Sequence, residues 1–107
     1  MSGAARVVPL SRLTLAVITR LFAQPEQEAV RTMLTRDCGG GLPLTDRWGE
    51  PQFERLWLAV LQISGGDITR VRETIALAQV DWRDVLVGAG FGHSLEAHRR
   101  WATALTS

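Results

Sequence analysis

The sequence predicts an all-α protein, a single compact bundle of five or six short helices. Apolar side chains recur along most of the chain with the period of about 3.6 residues that marks one face of an α-helix. Runs in which apolar and polar residues alternate never exceed four or five positions, so no β-strand is predicted. Proline and glycine stand where these helices would begin and end, as at Pro25, Pro51, Gly65 and Gly90.

Length and composition place the chain among small globular domains. Its 107 residues are 46% hydrophobic, which is enough apolar material for one core. A compact domain of this length has a radius of gyration of about 13 Å. We predict a loose N-terminal arm over residues 1–8 and a single helical domain over residues 9–107. The chain has twelve cationic residues, all of them arginine, and eleven acidic residues, which gives a formal net charge of +1. This near-neutral net charge gives no reason to expect a polyanionic partner such as a nucleic acid.

The first two predicted helices lie on either side of Pro25. A helix over residues 10–23 follows from apolar residues at helical spacing, namely Leu13, Val17, Ile18 and Leu21. This apolar face is wide enough to require cover from the rest of the domain or from a partner. Proline suits the first turn of a helix, where its missing N–H would have no intrahelical acceptor, so the second helix begins at Pro25. Cys38 followed by Gly39 predicts where that helix ends.

Residues 39–50 form the longest irregular stretch, because three glycines and a proline oppose both helix and strand. We expect three apolar side chains of this stretch, Leu42, Leu44 and Trp48, to pack against the domain. A third helix is predicted over residues 51–64. Apolar residues occupy most of its circumference, which is typical of the central helix of a domain.

Three further helices are predicted in the second half of the chain. Asp67 suits the N-cap of a fourth helix, since a short acidic side chain accepts a hydrogen bond from the first turn. Asp81 suits the same position in a short fifth helix. Ser94 is the predicted N-cap of the last helix, whose inward side carries Leu95, His98, Trp101, Ala102 and Leu105.

The residue types present exclude several kinds of site. Because the chain contains no lysine, it can form neither a phosphate-binding loop that depends on a lysine nor a lysine Schiff base. One cysteine permits no internal disulfide and no zinc finger, and it indicates a reducing cytoplasm. His93 and His98 lie roughly 140° apart around a helix, so they do not share a metal-binding face. We therefore predict no metal site and no cofactor.

Three kinds of polar group have ordinary structural interpretations. His98 lies on the apolar side of its predicted helix, so we expect a partly buried histidine with its hydrogen bonds satisfied. Glu50 and Glu54 could be considered as an acid–base pair, but helix capping and solvation at the surface explain the presence of both without a catalytic role. Cys38 stands at a helix C-terminus, where the dipole raises the pKa of a thiol. The sequence therefore predicts a protein without enzymatic activity, with a small enzyme using Cys38 and a histidine as an alternative.

Short elements in the second half of the chain carry a resemblance to a known family. They are Asp-Trp-Arg-Asp at residues 81–84 and Ala-Gly-Phe at residues 89–91, preceded by Ser-Gly-Gly-Asp at residues 64–67. With these elements the chain resembles a family of small bacterial helical proteins. The resemblance implies a stand-alone cytosolic protein, and since the family has no established activity it assigns no functional residue.

The favoured hypothesis is a non-enzymatic helical interaction module of the cytoplasm, which binds another protein or associates with itself as a homodimer. It rests on surplus apolar surface over residues 10–23 and 51–64 and on the number of tryptophans, which are common anchors in interfaces. The candidate interaction residues are Arg6, Trp48, Arg99, Arg100 and Trp101.

Nucleic-acid binding is the alternative from another class, in which Arg6, Arg99, Arg100 and Trp101 would contact phosphates and bases. The balanced charge of the chain disfavours it. A recognition helix over residues 81–90 is excluded, because its two acids would be repelled by phosphate. No stretch approaches the run of about 18 apolar residues that a transmembrane helix needs, so no membrane is predicted as a partner.

Overall fold

The structure of the protein is a computed structural model, which describes residues 7–107. This part of the chain folds into five helices and contains no strand, which confirms the predicted all-α class. The helices are α1 (Arg12–Leu21), α2 (Gln24–Asp37), α3 (Glu50–Ser64), α4 (Ile68–Gly88) and α5 (Ala97–Thr106). The radius of gyration is 12.8 Å, as expected for one domain of this length.

α3 is the central helix, as its apolar circumference predicts. Every side chain from Leu56 to Leu61 is completely buried, and so is Phe53. The helix packs against α1, α4 and α5, which together cover it. The apolar surface over residues 51–64 is therefore buried within the domain, and the expectation that it forms a surplus flank for a partner is wrong.

α1 is shorter than the predicted range of 10–23. Ser11 caps it, since the Oγ of this residue accepts a hydrogen bond of 3.2 Å from the backbone N–H of Thr14. The buried side chains of the helix are Thr14, Val17 and Ile18. Leu15 faces away from them and stays 36% exposed, so part of the wide apolar face of α1 is uncovered.

The segment between α2 and α3 is held to the domain by hydrogen bonds. Cys38 ends α2, as predicted, and its carbonyl oxygen accepts a hydrogen bond of 2.7 Å from Nε1 of the buried Trp57. Leu42 is buried, and its carbonyl oxygen accepts from Oγ1 of Thr45 at 2.8 Å. Leu44 is 77% exposed with a φ of 64°, so the expectation that it packs inward is wrong. Because Leu42 and Thr45 both turn inward, the side chain of Leu44 between them faces solvent.

α4 runs through the predicted boundary between two helices, but it bends there. Asp81 has a φ of −157° and a ψ of 99°, which are not helical, so the backbone kinks at this residue. Its Oδ1 accepts a hydrogen bond of 3.1 Å from the backbone N–H of Arg83, as an N-cap does for a donor of the first turn. Asp81 therefore begins a new helical segment as predicted, within one element of 21 residues.

α5 begins at Ala97, later than a cap at Ser94 predicts. The Oγ of Ser94 accepts a hydrogen bond of 3.1 Å from the backbone N–H of Glu96, which closes a turn ahead of the helix. Leu95 lies in this turn and is 75% exposed, so the expectation that it faces inward is wrong. His98 is buried, as the apolar side of the helix predicts.

Gly66, in the turn between α3 and α4, holds a conformation that favours glycine. Its φ is 93°, and a Cβ at this position would lie 2.8 Å from the carbonyl oxygen of Leu21. This close approach brings the end of α1 against the turn that follows the central helix.

The predicted N-terminal arm over residues 1–8 lies mostly outside the described residues. Within the described part, Val8 is buried in the core, whereas Val7 is exposed. Arg6, one of the candidate interaction residues, lies outside the described residues.

Candidate functional site

A groove of about 600 Å³ lies between α2 and α4, and we call it the α2–α4 groove. Met33 and Ile75 are buried and form its floor, while the exposed Ala29 and Ala76 line its walls. Polar side chains complete the lining, namely Thr32, Arg36, Asp37, Arg72 and Gln79. The groove therefore combines an apolar base with polar edges.

Each helix lines the α2–α4 groove with one face, at the spacing i, i+3, i+4 and i+7. The residues from α2 are Ala29, Thr32, Met33 and Arg36, and those from α4 are Arg72, Ile75, Ala76 and Gln79. Seven positions along a helix correspond to about 10 Å. The groove thus follows two turns of both helices.

Two smaller depressions extend the α2–α4 groove. One of about 290 Å³ shares Thr32 and Arg36 with it, and another of about 270 Å³ shares Arg36, Asp37 and Gln79 and reaches Pro43. The side-chain Nε2 of Gln79 donates a hydrogen bond of 2.8 Å to the carbonyl oxygen of Asp37, which ties α4 to the end of α2. The first of the two depressions lies along α2 beside the groove and the second lies beyond the end of α2, and we call the three depressions together the trough.

The edge of the α2–α4 groove carries a positive charge. Arg36 donates two hydrogen bonds to the carboxylate of Asp37, at 3.0 and 2.8 Å. These hydrogen bonds raise the pKa of Arg36 and lower the pKa of Asp37. Arg72 takes part in none of the ion pairs among the described residues, so its charge is left without an acidic partner in that part of the chain.

A second depression, of about 280 Å³, lies between α3 and α5, and we call it the α3–α5 cleft. Its lining residues are Pro51, Gln52, Glu54, Arg55, Leu95, Glu96, His98 and Arg99. Two of them are polar and buried, since Glu54 is 6% exposed and His98 is 5% exposed. The cleft therefore has a polar base, which distinguishes it from the α2–α4 groove.

The buried polar groups of the α3–α5 cleft have few partners among the described residues. Oε1 of Glu54 lies 3.4 Å from Nη1 of Arg99, and no described residue donates a hydrogen bond to this carboxylate. Nδ1 of His98 is buried and has no hydrogen-bond partner there. Nη2 of Arg55 donates to the carbonyl oxygen of Phe91, but Nε of Arg55 is buried without a partner.

Burial lowers the pKa of His98, because removal from water disfavours the charged imidazolium. The charges of Glu54 and Glu96 act in the opposite direction, whereas those of Arg55 and Arg99 lower this pKa further. The net direction is downward from the ordinary value of about 6.5. The imidazole of His98 is therefore neutral at pH 7.

Two sequence predictions about the α3–α5 cleft are wrong. Glu54 is buried instead of solvated, because α3 is covered over nearly its whole circumference. His98 is buried but not satisfied, since its Nδ1 has no hydrogen-bond partner among the described residues. A signal for Glu54 is present in the sequence, because Leu58 and Leu61 follow it at i+4 and i+7 and continue an apolar stripe.

The two candidate interaction tryptophans are engaged in packing. Trp48 is half-buried and meets Phe53 and Trp82 edge-to-face, with ring centroids 5.1 and 4.6 Å apart. Trp101 is half-buried, with its ring centroid 6.1 Å from that of Phe91. Each ring therefore presents only part of its surface to a partner.

The candidate interaction arginines Arg99 and Arg100 are exposed on α5, next to Trp101. Arg99 contacts Glu54 in the α3–α5 cleft, so part of its charge is compensated within the domain. This arrangement adds no support to the nucleic-acid alternative.

Cys38 is completely buried, and its burial raises the pKa of the thiol to about 12. The nearby charge of Asp37 acts in the same direction. No hydrogen bond joins Cys38 to His93 or His98 within the described range. Because the thiolate is the nucleophilic form, a thiol that stays protonated at neutral pH gives no support to a Cys–His enzyme.

The described residues contain neither a metal-binding cluster nor a membrane-spanning helix. Within residues 7–107, no group of three or more His, Cys, Asp and Glu side chains is arranged to hold a metal ion. None of the helices in this range is both long and apolar enough to cross a bilayer.

Comparison of the chain with protein-family models, with curated proteins and with solved structures found no match. The resemblance to a family of small bacterial helical proteins therefore stays a prediction. The functional argument depends on the α2–α4 groove itself.

Proposed function

We propose that the protein is a non-enzymatic helical interaction module that binds an amphipathic segment of another protein in the α2–α4 groove. One observation carries the proposal. α2 and α4 present matching faces, each spaced i, i+3, i+4 and i+7, along a groove of about 600 Å³ with a buried apolar floor. Apolar grooves between helices are a recurrent docking place for amphipathic helices.

The shape of the trough favours a protein segment over a small molecule. Pockets for small molecules surround their ligand with a few convergent polar groups. The three depressions of the trough all share Arg36, and the polar side chains lie along the edge. An amphipathic helix would place its apolar stripe on Met33 and Ile75 and its polar side near Arg36 and Arg72.

Charge favours a segment that carries acidic residues beside its apolar stripe. Arg72 has no acidic partner among the described residues, whereas the adjoining depression carries both Arg31 and Glu28. An acidic side chain of the partner would pair with Arg72, whereas a basic one would be repelled.

Selection from a library of random helical peptides tests the proposal. We expect the selected peptides to be amphipathic and acidic, because they must cover an apolar floor beside arginines. Their binding should shift the methyl NMR signal of Met33 in the groove floor. Met1, the second methionine of the chain, supplies the reference signal.

Two matched variants of α4 complete this experiment. Ala76→Arg places a long charged side chain in the α2–α4 groove and should weaken peptide binding by at least about tenfold. Arg70→Glu changes a charge of the same helix outside the groove and should leave the affinity within about twofold. Failure to select any peptide, or equal binding of the selected peptides to the wild type and to Ala76→Arg, would refute the proposal.

Self-association as a homodimer is an alternative form of the same module. Leu77, Val80 and Val87 are exposed on α4 and would supply apolar area to a second copy. Light scattering that shows a strict monomer at high protein concentration would remove this alternative.

A cytoplasmic location is part of the proposal and is supported by the buried, unpaired Cys38. Membership of the bacterial family is supported by residues 81–84 and 89–91.

A further inference from the structure

We propose that the α2–α4 groove binds its partner helix in one direction, antiparallel to α2 and α4, with a carboxylate in the last turn of the partner helix placed at Arg72. The inference rests on the function proposed above. It adds the polarity of the partner helix and the position of its acidic residue.

α2 and α4 run in the same direction along the groove. The lining residues of α2 extend from Ala29 to Asp37. Those of α4 extend from Arg72 to Gln79. The last residues of the two sets are joined, because Nε2 of Gln79 donates a hydrogen bond of 2.8 Å to the carbonyl oxygen of Asp37. We call this end of the groove the Gln79 end, and the opposite end, where both sets begin, the Arg72 end.

The surplus positive charge of the groove lies at the Arg72 end. Three of the lining residues are charged, namely Arg36, Asp37 and Arg72. Arg36 and Asp37 neutralise each other through two hydrogen bonds at the Gln79 end. Arg72 takes part in none of the ion pairs among the described residues. The groove therefore offers one uncompensated charge, and it offers it at one end.

The adjoining depressions do not change this balance. The depression along α2 carries Arg31 and Glu28, which have opposite charges. The depression beyond the end of α2 carries Arg36 and Asp37 again. A partner that follows the trough can therefore match its net charge with a single carboxylate at the Arg72 end.

The helix dipole of α2 favours the same polarity. Asp37 is the last residue of α2, so the negative end of the dipole lies at the Gln79 end. An antiparallel partner brings its own positive N-terminus to that end and its negative C-terminus to Arg72. A parallel partner would bring like partial charges together at both ends.

Two peptides that differ only in the position of one glutamate test the inference. The scaffold is a peptide selected in the experiment above, with glutamine in place of every acid and with both termini blocked to remove their charges. One peptide carries the glutamate in its last turn and the other carries it in its first turn. We expect the last-turn peptide to bind at least about threefold more tightly, as one solvent-exposed ion pair allows.

The helicity of the free peptides acts against this result. An acidic residue stabilises an isolated helix in its first turn and destabilises it in its last turn. If the last-turn peptide binds more tightly, its advantage therefore comes from contact with the protein and not from its own helix stability.

Matched variants of α4 locate the contact. Arg72→Gln should remove the difference between the two peptides, because it removes the surplus charge of the groove. Arg70→Gln, on the same helix but outside the groove, should preserve the difference. Both arginines are exposed, so we expect both variants to fold.

A nitroxide label on the last-turn peptide reports its direction. Trp82 lies beyond the Gln79 end, since its Nε1 donates a hydrogen bond of 3.0 Å to the carbonyl oxygen of Pro43, which lines the depression there. A label at the N-terminus of the peptide should broaden the indole N–H NMR signal of Trp82 more than a label at its C-terminus. Trp101 on α5 lines none of the three depressions and serves as the reference.

The outcomes separate this inference from the proposed function. The inference is overturned if the two peptides bind equally, if the first-turn peptide binds more tightly, if Arg72→Gln keeps the difference, or if the C-terminal label broadens Trp82 more strongly. Peptide binding that Ala76→Arg weakens would leave the proposed function intact in each of these cases. Failure to select any peptide would remove the proposed function and this inference with it.

Discussion

The α2–α4 groove and the α3–α5 cleft are built in opposite ways. The groove has two buried apolar side chains, Met33 and Ile75, at its base and charged side chains along its edge. The cleft has two buried polar side chains, Glu54 and His98, at its base and the exposed apolar Leu95 at its edge. A partner in the groove would gain affinity by removing apolar area from water, whereas the residues of the cleft include two buried nitrogens without hydrogen-bond partners among the described residues.

This difference originates in the helices that form the two sites. α2 and α4 each bury one stripe, so they meet across an apolar floor and keep their charges outside. α3 is buried over nearly its whole circumference, so a polar residue in its sequence has little exposed surface to occupy. Glu54 is carried into the interior for this reason, and Arg99 reaches it from α5.

The largest expected effect comes from a side chain that supports both sites. Trp57 on α3 is completely buried, and its Nε1 donates to the carbonyl oxygen of Cys38 at the end of α2. Trp57→Ala should lower the free energy of unfolding by about 3–5 kcal/mol, because it removes a large core side chain together with this hydrogen bond. Urea unfolding followed by circular dichroism measures the change. A loss below about 1 kcal/mol would contradict a core role for Trp57.

A smaller effect is expected in the floor of the α2–α4 groove. Met33→Ala should lower the free energy of unfolding by about 2 kcal/mol, at the low end for such a truncation, because Met33 borders an open groove that water can enter. Met33→Leu keeps the volume and should change it by about 1 kcal/mol or less. Equal losses in the two variants, measured by urea unfolding, would show that Met33 does not contribute to the floor through its volume.

The smallest effect is expected at the base of the α3–α5 cleft, and it has the opposite sign. His98→Leu removes a buried nitrogen without a partner and should raise the free energy of unfolding at pH 7 by about 1 kcal/mol. His93→Leu, at an exposed position, is the control and should leave the stability nearly unchanged. A decrease on His98→Leu would show that His98 makes favourable polar contacts in the folded protein.

The same variant should also change the dependence of stability on pH. Burial lowers the pKa of His98 from about 6.5, so the folded state binds this proton less readily than the unfolded state. The contribution of neutral His98 is fully present above pH 6.5 and declines as the pH falls below that value. Wild-type protein should therefore lose more stability than His98→Leu between pH 7 and pH 5. Parallel losses would show that other groups account for the acid sensitivity.

The helices were predictable because their signals are local. Asp67 and Asp81 each accept a hydrogen bond from the backbone N–H two positions further along the chain, so their capping roles can be read from neighbouring residues. Leu44 and Leu95 were mispredicted because each lies in a turn. In a turn the path of the backbone, and not helical periodicity, determines which way a side chain points.

The two sites were less predictable because they depend on tertiary contacts. Charge alone marked Arg99 as a candidate, but its contact with Glu54 exists only when α5 packs against α3. The pattern of α3 predicts a central helix, which is confirmed, and it already implies that Glu54 has little surface to occupy. Met33 and Arg72 belong to different helices, and only the packing of α2 on α4 brings them into one groove.

Gly66 sets a limit on how far the sequence can diverge. Another residue there would need a disfavoured backbone angle and would bring its Cβ to 2.8 Å from the carbonyl oxygen of Leu21. Homologues that keep α1 packed against this turn must therefore retain glycine, whatever else they exchange. Such a fixed point would anchor an alignment of remote homologues, in which substitutions at Arg72 would reveal whether evolution has kept the charge of the α2–α4 groove.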